Sequence, residues 1–312
     1  MRRPRCLLLL CAGAVLSVGC LPDFVPASEL GEEPQVIVVR ASAPEAAPGE
    51  TVTFDALVHW PAGTVSLTWL VCTPDPEDEA DTCVANRLED PAAVPRCEDE
   101  PLAQLCVASR DATASYRIPS LTLPDDEPRT LFVELVVGGG GGGGGDSLDA
   151  CAEAVRTVAP TESCLLAVKG LEVSLSGAPN RNPGLTTLEV DGEPVDATIV
   201  VIESGGVGLE ELQVTLSVSA SPASVDELDV GEGEEPVEWV RLPVAWYTTC
   251  GSYDDDAGGV RCDPPGPGEA EPTCQAVEAR WSPITSGDCE VHVVLRDGRG
   301  GAAYTTQRFE VR

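Results

Sequence analysis

Period-two alternation of apolar residues constrains this chain more than any other feature. Val52, Phe54, Ala56 and Val58 form one alternating set, Val65, Leu67, Trp69 and Val71 a second, and Leu131, Val133, Leu135 and Val137 a third. A β-strand sends successive side chains to opposite faces, so this spacing predicts half-buried antiparallel strands and is incompatible with an amphipathic helix. Turn residues separate the sets, with Pro44 and Pro48-Gly49 before the first and Pro61-Ala62-Gly63 before the second. Low aromatic content (4%) together with 31 Gly and 27 Pro favours short strands and many turns.

The second half repeats the arrangement with Leu212, Val214, Leu216 and Val218, then Leu242, Val244 and Trp246, then Val291, Val293 and Leu295. Trp69 lies shortly before Cys72 and Trp246 shortly before Cys250; each cysteine is followed by an acidic loop and another cysteine, Cys83 and Cys262. Two copies of one module is the economical interpretation. Pro48-Gly49-Glu50-Thr51-Val52-Thr53-Phe54 resembles the second strand of immunoglobulin-like modules of the PKD-like type found on bacterial surface proteins. Val291 to Val311 resembles their closing hairpin, with Asp297-Gly298 at the turn. The expected fold is all-β: two disulfide-stapled Ig-like β-sandwich modules in tandem, at residues 35–176 and 177–312. The run Gly138–Gly145 is expected inside the last hairpin of the first module. The boundary is expected where Pro179 and Asn180 break the pattern.

The N-terminus carries an address. Arg2, Arg3 and Arg5 precede an uncharged apolar stretch from Cys6 to Gly19, the composition of an export signal and too short for a membrane span of roughly 20 residues. Leu16-Ser17-Val18-Gly19-Cys20 resembles the lipobox of bacterial lipoproteins, with Ser17 where that family prefers leucine. The resemblance implies a signal peptide at 1–19, lipidation of Cys20, and, since Leu21 follows, delivery to the outer membrane. Residues 20–34 are expected as a lipidated tether, whose Leu21–Pro34 stretch reaches at most about 45 Å when extended.

Setting aside Cys6 and Cys11 in the signal and Cys20 for the lipid leaves Cys72, Cys83, Cys97, Cys106, Cys151, Cys164, Cys250, Cys262, Cys274 and Cys289. The count is even in each module, as expected of disulfides in an oxidising compartment. Sequence leaves the connectivity open; neighbour pairing (72 with 83, 97 with 106, 151 with 164, 250 with 262, 274 with 289) is the expectation. Each such loop would contribute about 3 kcal/mol by restricting the unfolded chain.

Removal of the signal peptide strips three arginines from a chain whose formal charge is already −33. Such a surface repels nucleic acid and anionic lipid. His59 and His292 sit in expected strands without a nucleophile motif nearby, and neither G-x-S-x-G nor H-E-x-x-H occurs. The cysteines are spaced too widely for a usual zinc site, and no Lys-Ser/Thr follows the glycine run, so neither a metal nor a phosphate loop is expected. Asp254, Asp255 and Asp256, with Asp75, Glu77, Asp78, Glu79 and Asp81, could offer oxygens to calcium, although solvated loops are the favoured interpretation.

No cofactor is expected. The functional expectation is a non-enzymatic, membrane-anchored envelope lipoprotein that binds an envelope protein or glycan, with Trp239, Trp281 and the loop Ser252–Asp256 as candidate contacts. The alternatives are a scaffold without a ligand, or an accessory module or hydrolase acting on glycans through loop carboxylates.

Overall fold

Among the described residues of the first half the strands are β1 (Gln35–Ala41), β2 (Glu45–Ala46), β3 (Thr51–His59), β4 (Thr64–Cys72), β5 (Leu105–Ser109), β6 (Thr113–Arg117), β7 (Arg129–Gly140) and β8 (Cys164–Val173). The second half adds β9 (Glu189–Val190), β10 (Glu193–Pro194), β11 (Ile199–Ile202), β12 (Val214–Val218), β13 (Val240–Thr248), β14 (Ser252–Tyr253), β15 (Ala257–Asp263), β16 (Thr273–Cys274), β17 (Val277–Ser282), β18 (Gly287–Arg296) and β19 (Ala302–Val311). The computed structural model describes residues 29–31, 33–61, 63–73, 90, 93–120, 128–140, 148, 151–152, 154, 161, 163–175, 179–195, 198–222, 240–254, 257–263, 265 and 272–312. Among them no helix is long and apolar enough to cross a membrane.

Among the described residues the strands form four sheets, two in each half. In the first half, β1-β3-β6 faces β2-β8-β7-β4-β5; in the second, β10-β9-β12-β17-β14 faces β11-β19-β18-β13-β15-β16. Each larger sheet is edged by a short strand running parallel to the last strand of its half, β2 beside β8 and β11 beside β19. Each then continues antiparallel through the closing hairpin to the strand bearing the tryptophan. Splitting the first strand between two sheets, with the hairpin and tryptophan strand in the second, is immunoglobulin-like topology. The protein is therefore all-β, with two Ig-like sandwiches in tandem.

One apolar core lies inside each sandwich. Phe54, Trp69, Leu131, Val133, Leu135 and Leu171 are fully buried in the first, and Leu216, Trp246, Trp281, Val293, Leu295 and Phe309 in the second. Each large side chain removed from water contributes about 1.5–3 kcal/mol. The tryptophans occupy equivalent places, since Trp69 pairs with Leu135 and Trp246 with Val293. Their ring nitrogens differ. Trp69 Nε1 donates to the Asp111 carbonyl at 3.0 Å, whereas Trp246 Nε1 is buried without a partner among the described residues.

The glycine run enters the hairpin between β7 and β8. Gly139 is required by packing, since a Cβ there would come within 2.5 Å of the Trp60 ring.

Candidate functional site

Half-burial underestimates the two larger sheets, which are covered on both faces. On β7 the set Leu131, Val133, Leu135 and Val137 points into the sandwich, but Phe132, Glu134 and Val136 on the opposite face are also shielded. Leu70, Cys72, Leu105, Val136, Leu148, Cys151 and Cys164 form a second apolar cluster there, so the long β7–β8 connection folds back over its own sheet. Cys151–Cys164 fastens it. Beneath this cover Glu134 is 7% exposed, and burial pushes its carboxyl up to about 8.

The corresponding face of the second sandwich is covered by the first sandwich. Ala245, Tyr247, Val294 and Ala302 cluster with Leu30, Ile37 and Val38, flanked by Leu57 and Tyr304. A register shift between Val36 and Val38 in the β1–β3 ladder makes this possible. Two successive residues, Ile37 and Val38, turn to the seam while Val36 and Val39 stay with the first core.

Polar contacts fix the seam. Arg40 pairs with Asp55 at 2.9 Å and lies 4.8 Å from the centre of the Tyr304 ring, whose hydroxyl donates to Asp55 at 2.7 Å. Arg296 donates to the Ile37 carbonyl at 3.2 Å. Asn182 donates to the Ala41 carbonyl at 2.6 Å and accepts from the Ala302 amide at 3.0 Å. The Asn180 amide donates to Glu45 at 2.7 Å and its side chain to Asp297 at 3.2 Å. Lys169 donates to the Gly300 carbonyl in the β18–β19 turn; burial lowers its pKa, partly offset by Asp297.

Part of the segment expected as a free tether belongs to this seam. Glu29 bridges to Thr248, the Leu30 amide donates to the Thr248 carbonyl at 2.8 Å, and Leu30 is 4% exposed. His59 Nε2 donates to the Gly31 carbonyl at 2.9 Å. His292 lies on β18 opposite Tyr247, 3% exposed, its Nδ1 hydrogen-bonded with Thr306 at 2.9 Å and its Nε2 3.9 Å from Glu290. Burial lowers the His292 pKa; Glu290 opposes that shift and His59 adds to it. The chain's two histidines, far apart in sequence, are thus near enough for one to act on the other's charge. By register, His292 and Glu134 occupy the same place in their modules, each immediately before the residue paired with the strand tryptophan.

The cystines depart from neighbour pairing in the second half. Cys97–Cys106 and Cys151–Cys164 form as expected. The expected 250–262 and 274–289 pairs are replaced by Cys250–Cys289 and Cys262–Cys274. The ladders explain this. Thr248 faces Val291, so two residues further along Cys250 meets Cys289, while Cys262 and Cys274 are direct partners across β15 and β16 with Cα atoms 4.0 Å apart. Cys72 is disulfide-bonded, and its expected partner Cys83 lies outside the described residues.

Of the candidate contacts, Trp281 is fully buried and donates from Nε1 to the Cys250 carbonyl at 3.1 Å, which makes it a core residue. Tyr253, in the expected contact loop, is also buried, its hydroxyl donating to the Tyr247 carbonyl at 3.2 Å. Exposed Asp254 accepts from Gln213 at 3.2 Å. Cys20, Trp239, Asp255, Asp256, Asp75, Glu77, Asp78, Glu79 and Asp81 lie outside the described residues. Among the described residues no group of three or more His, Cys, Asp or Glu is placed to hold a metal ion.

A cleft of about 750 Å³ on the first sandwich, between β6 and the Cys97–Cys106 loop and lined by Arg96, Leu102, Ser115, Tyr116 and Arg117 among others, has no counterpart in any sequence motif. Because β6 ends its sheet and the Ile118 amide bonds inward to Glu50, the alternation of the ladder turns the backbone groups of Ser115 and Arg117 outward along the cleft.

No family model and no curated protein matches the chain. Among solved structures it is similar to the two tandem V-type regions of the v-region-containing chitin binding protein VCBP3, at 12% identity over 89% of this chain and 100% of that one, with a TM-score of 0.29. It is also similar to the fibronectin(III)-like modules of Clostridium thermocellum CbhA, at 13% identity over 88% of this chain and 94% of that one, TM-score 0.21. The C-terminal domain of the Streptococcus agalactiae polypeptide BspA matches at 8% identity over 87% and 99%, TM-score 0.25. The Ig-like class is defined by the strand order of the two sandwiches.

Proposed function

We propose that the chain is an exported envelope lipoprotein, lipidated at Cys20 and held at the outer membrane, that serves as a non-enzymatic binding or structural protein. One observation carries the export: bridges form in both sandwiches, at Cys97–Cys106, Cys151–Cys164, Cys250–Cys289 and Cys262–Cys274, a density that belongs to an oxidising compartment. Glu29 and Leu30 are held against Thr248, so a lipid on Cys20 would lie within about 30 Å of the folded body along the chain. Two acyl chains on Cys20 would hold such a body stably at the bilayer. The outer edge of β6, along which the cleft runs, is the place for contact with an envelope protein or glycan.

The test is the intact mass of protein extracted with detergent from native membranes, with thiol alkylation in the absence of reductant. Loss of residues 1–19, a gain of acyl chains and no alkylated thiol are expected. An unlipidated species, or one with free thiols, would overturn the proposal.

A further inference from the structure

The seam buries an ionisable side chain where an Ig-like pair held only by a linker would leave it in water. His292 is 3% exposed on the sheet face where Tyr247 and Val294 pack against Leu30, Ile37 and Val38, and His59 on β3, bonded to Gly31 of the strap Glu29–Gly31, lies near enough to act on its charge. On its own strand Glu290 stands 3.9 Å from Nε2 and is itself paired with Arg308 of β19 at 3.0 Å. Thr306 of β19 shares Nδ1, Tyr247 of β13 is its cross-strand neighbour, and Glu29 of the strap lies beside Thr248. Further along the seam the Arg40–Asp55 pair is closed by Tyr304.

We propose that this seam is an acid-released latch: the sandwiches dock through it at neutral pH, and proton uptake by His292 undocks the first sandwich and the strap from the second. A positive charge on His292 would have to lie in the buried seam, where the nearby His59 disfavours it, and burying a charge without a full partner is costly. Glu290 compensates in part, but it is already engaged by Arg308. The sign follows from burial. The docked His292 pKa lies below its ordinary value, so the undocked state binds more protons. Docking is therefore intact above about pH 6.5 and weakens as pH falls below it. The sandwich cores, the cystines and the linker stay in place, so the change is rigid-body opening that exposes Ala245, Tyr247, Val294 and Ala302.

Small-angle scattering of the full chain from about pH 7.5 to about pH 5.5 tests the latch, with far-UV circular dichroism on the same samples. The radius of gyration is expected to rise by about a fifth on opening, the difference between one body and two linked ones, at constant dichroism. His292→Gln is expected to stay docked across the range. Glu290→Gln removes the carboxylate that favours the charged imidazole, so it is expected to open more completely at the same acid pH. A wild-type radius constant over the range would overturn the latch. So would an unchanged transition in a folded His292→Gln chain, or, if that variant does not fold, a Glu290→Gln chain that opens no more than wild type.

Discussion

The larger sheet of each sandwich needs a cover for its outer face, and the two modules meet that need differently. In the first, the long β7–β8 connection supplies Leu148, Cys151 and Ala154 from within the module. In the second, the equivalent hairpin turns tightly at Asp297–Gly301, and the cover arrives from outside the module, Leu30 from the strap and Ile37 and Val38 from the first sandwich. The same position on the same strand then carries a buried ionisable group under each cover, Glu134 in one and His292 in the other. An internal cover makes the face part of one module's folding. An external cover makes it a joint, whose loss leaves both sandwiches standing.

A charge on each face is the harshest way to break this comparison. Val136→Asp is expected to cost about 4 kcal/mol and to unfold the first sandwich, since an unpaired carboxylate would lie under its internal cover. Val294→Asp is expected to open the seam while both sandwiches keep their own melting transitions. Scanning calorimetry separates the outcomes; a Val294→Asp chain whose second sandwich fails to fold would erase the distinction.

Opposite pH dependences sharpen it. Glu134 is held near 8 against an ordinary 4.5, so the unfolded chain gives up this proton first and the first sandwich loses stability as pH rises from about 4.5 to about 8. The loss is on the order of 4 kcal/mol by the top of that window. Glu134→Gln is expected to flatten the slope of its melting temperature against pH. His292 acts in the opposite direction, weakening the seam as pH falls.

Smaller effects follow from single hydrogen bonds. Trp69→Phe breaks the bond to the Asp111 carbonyl, whereas Trp246→Phe removes an N–H that already lacks a partner among the described residues. Denaturant unfolding is expected to show Trp69→Phe as the costlier by about 1 kcal/mol. Tyr304→Phe deletes only the hydroxyl bonded to Asp55. It is expected to weaken docking by about 0.5–1 kcal/mol without moving either sandwich's own melt.

The sandwiches were legible in the sequence because alternation reports one buried face directly. The second buried face was legible too, but in residues of the opposite phase. Phe132 and Val136 fill the gaps of the Leu131–Val137 set, and Val36-Ile37-Val38-Val39 is an unbroken apolar run. Such runs mark strands shielded on both sides. What they cannot name is the cover, because Leu30 meets Thr248 and Ile37 meets Arg296 only through tertiary structure. The cystines of the second half escaped for the same reason: proximity in sequence favours Cys250 with Cys262, and ladder register selects Cys289. The histidines carried no signal of their proximity, since each lies in an ordinary strand pattern.

Hydroxyl-radical footprinting of the intact chain at neutral pH tests the shared seam most directly, because Tyr247 and Tyr253 provide a matched pair. Both are nearly buried, at 8% and 9% exposure, but Tyr253 is covered by its own sandwich and Tyr247 belongs to the seam. If the first sandwich and the strap cover the second, Tyr247 is oxidised as slowly as Tyr253. Oxidation of Tyr247 at the rate of a freely exposed tyrosine, with Tyr253 still protected, would mean that the outer face is open and the seam does not form.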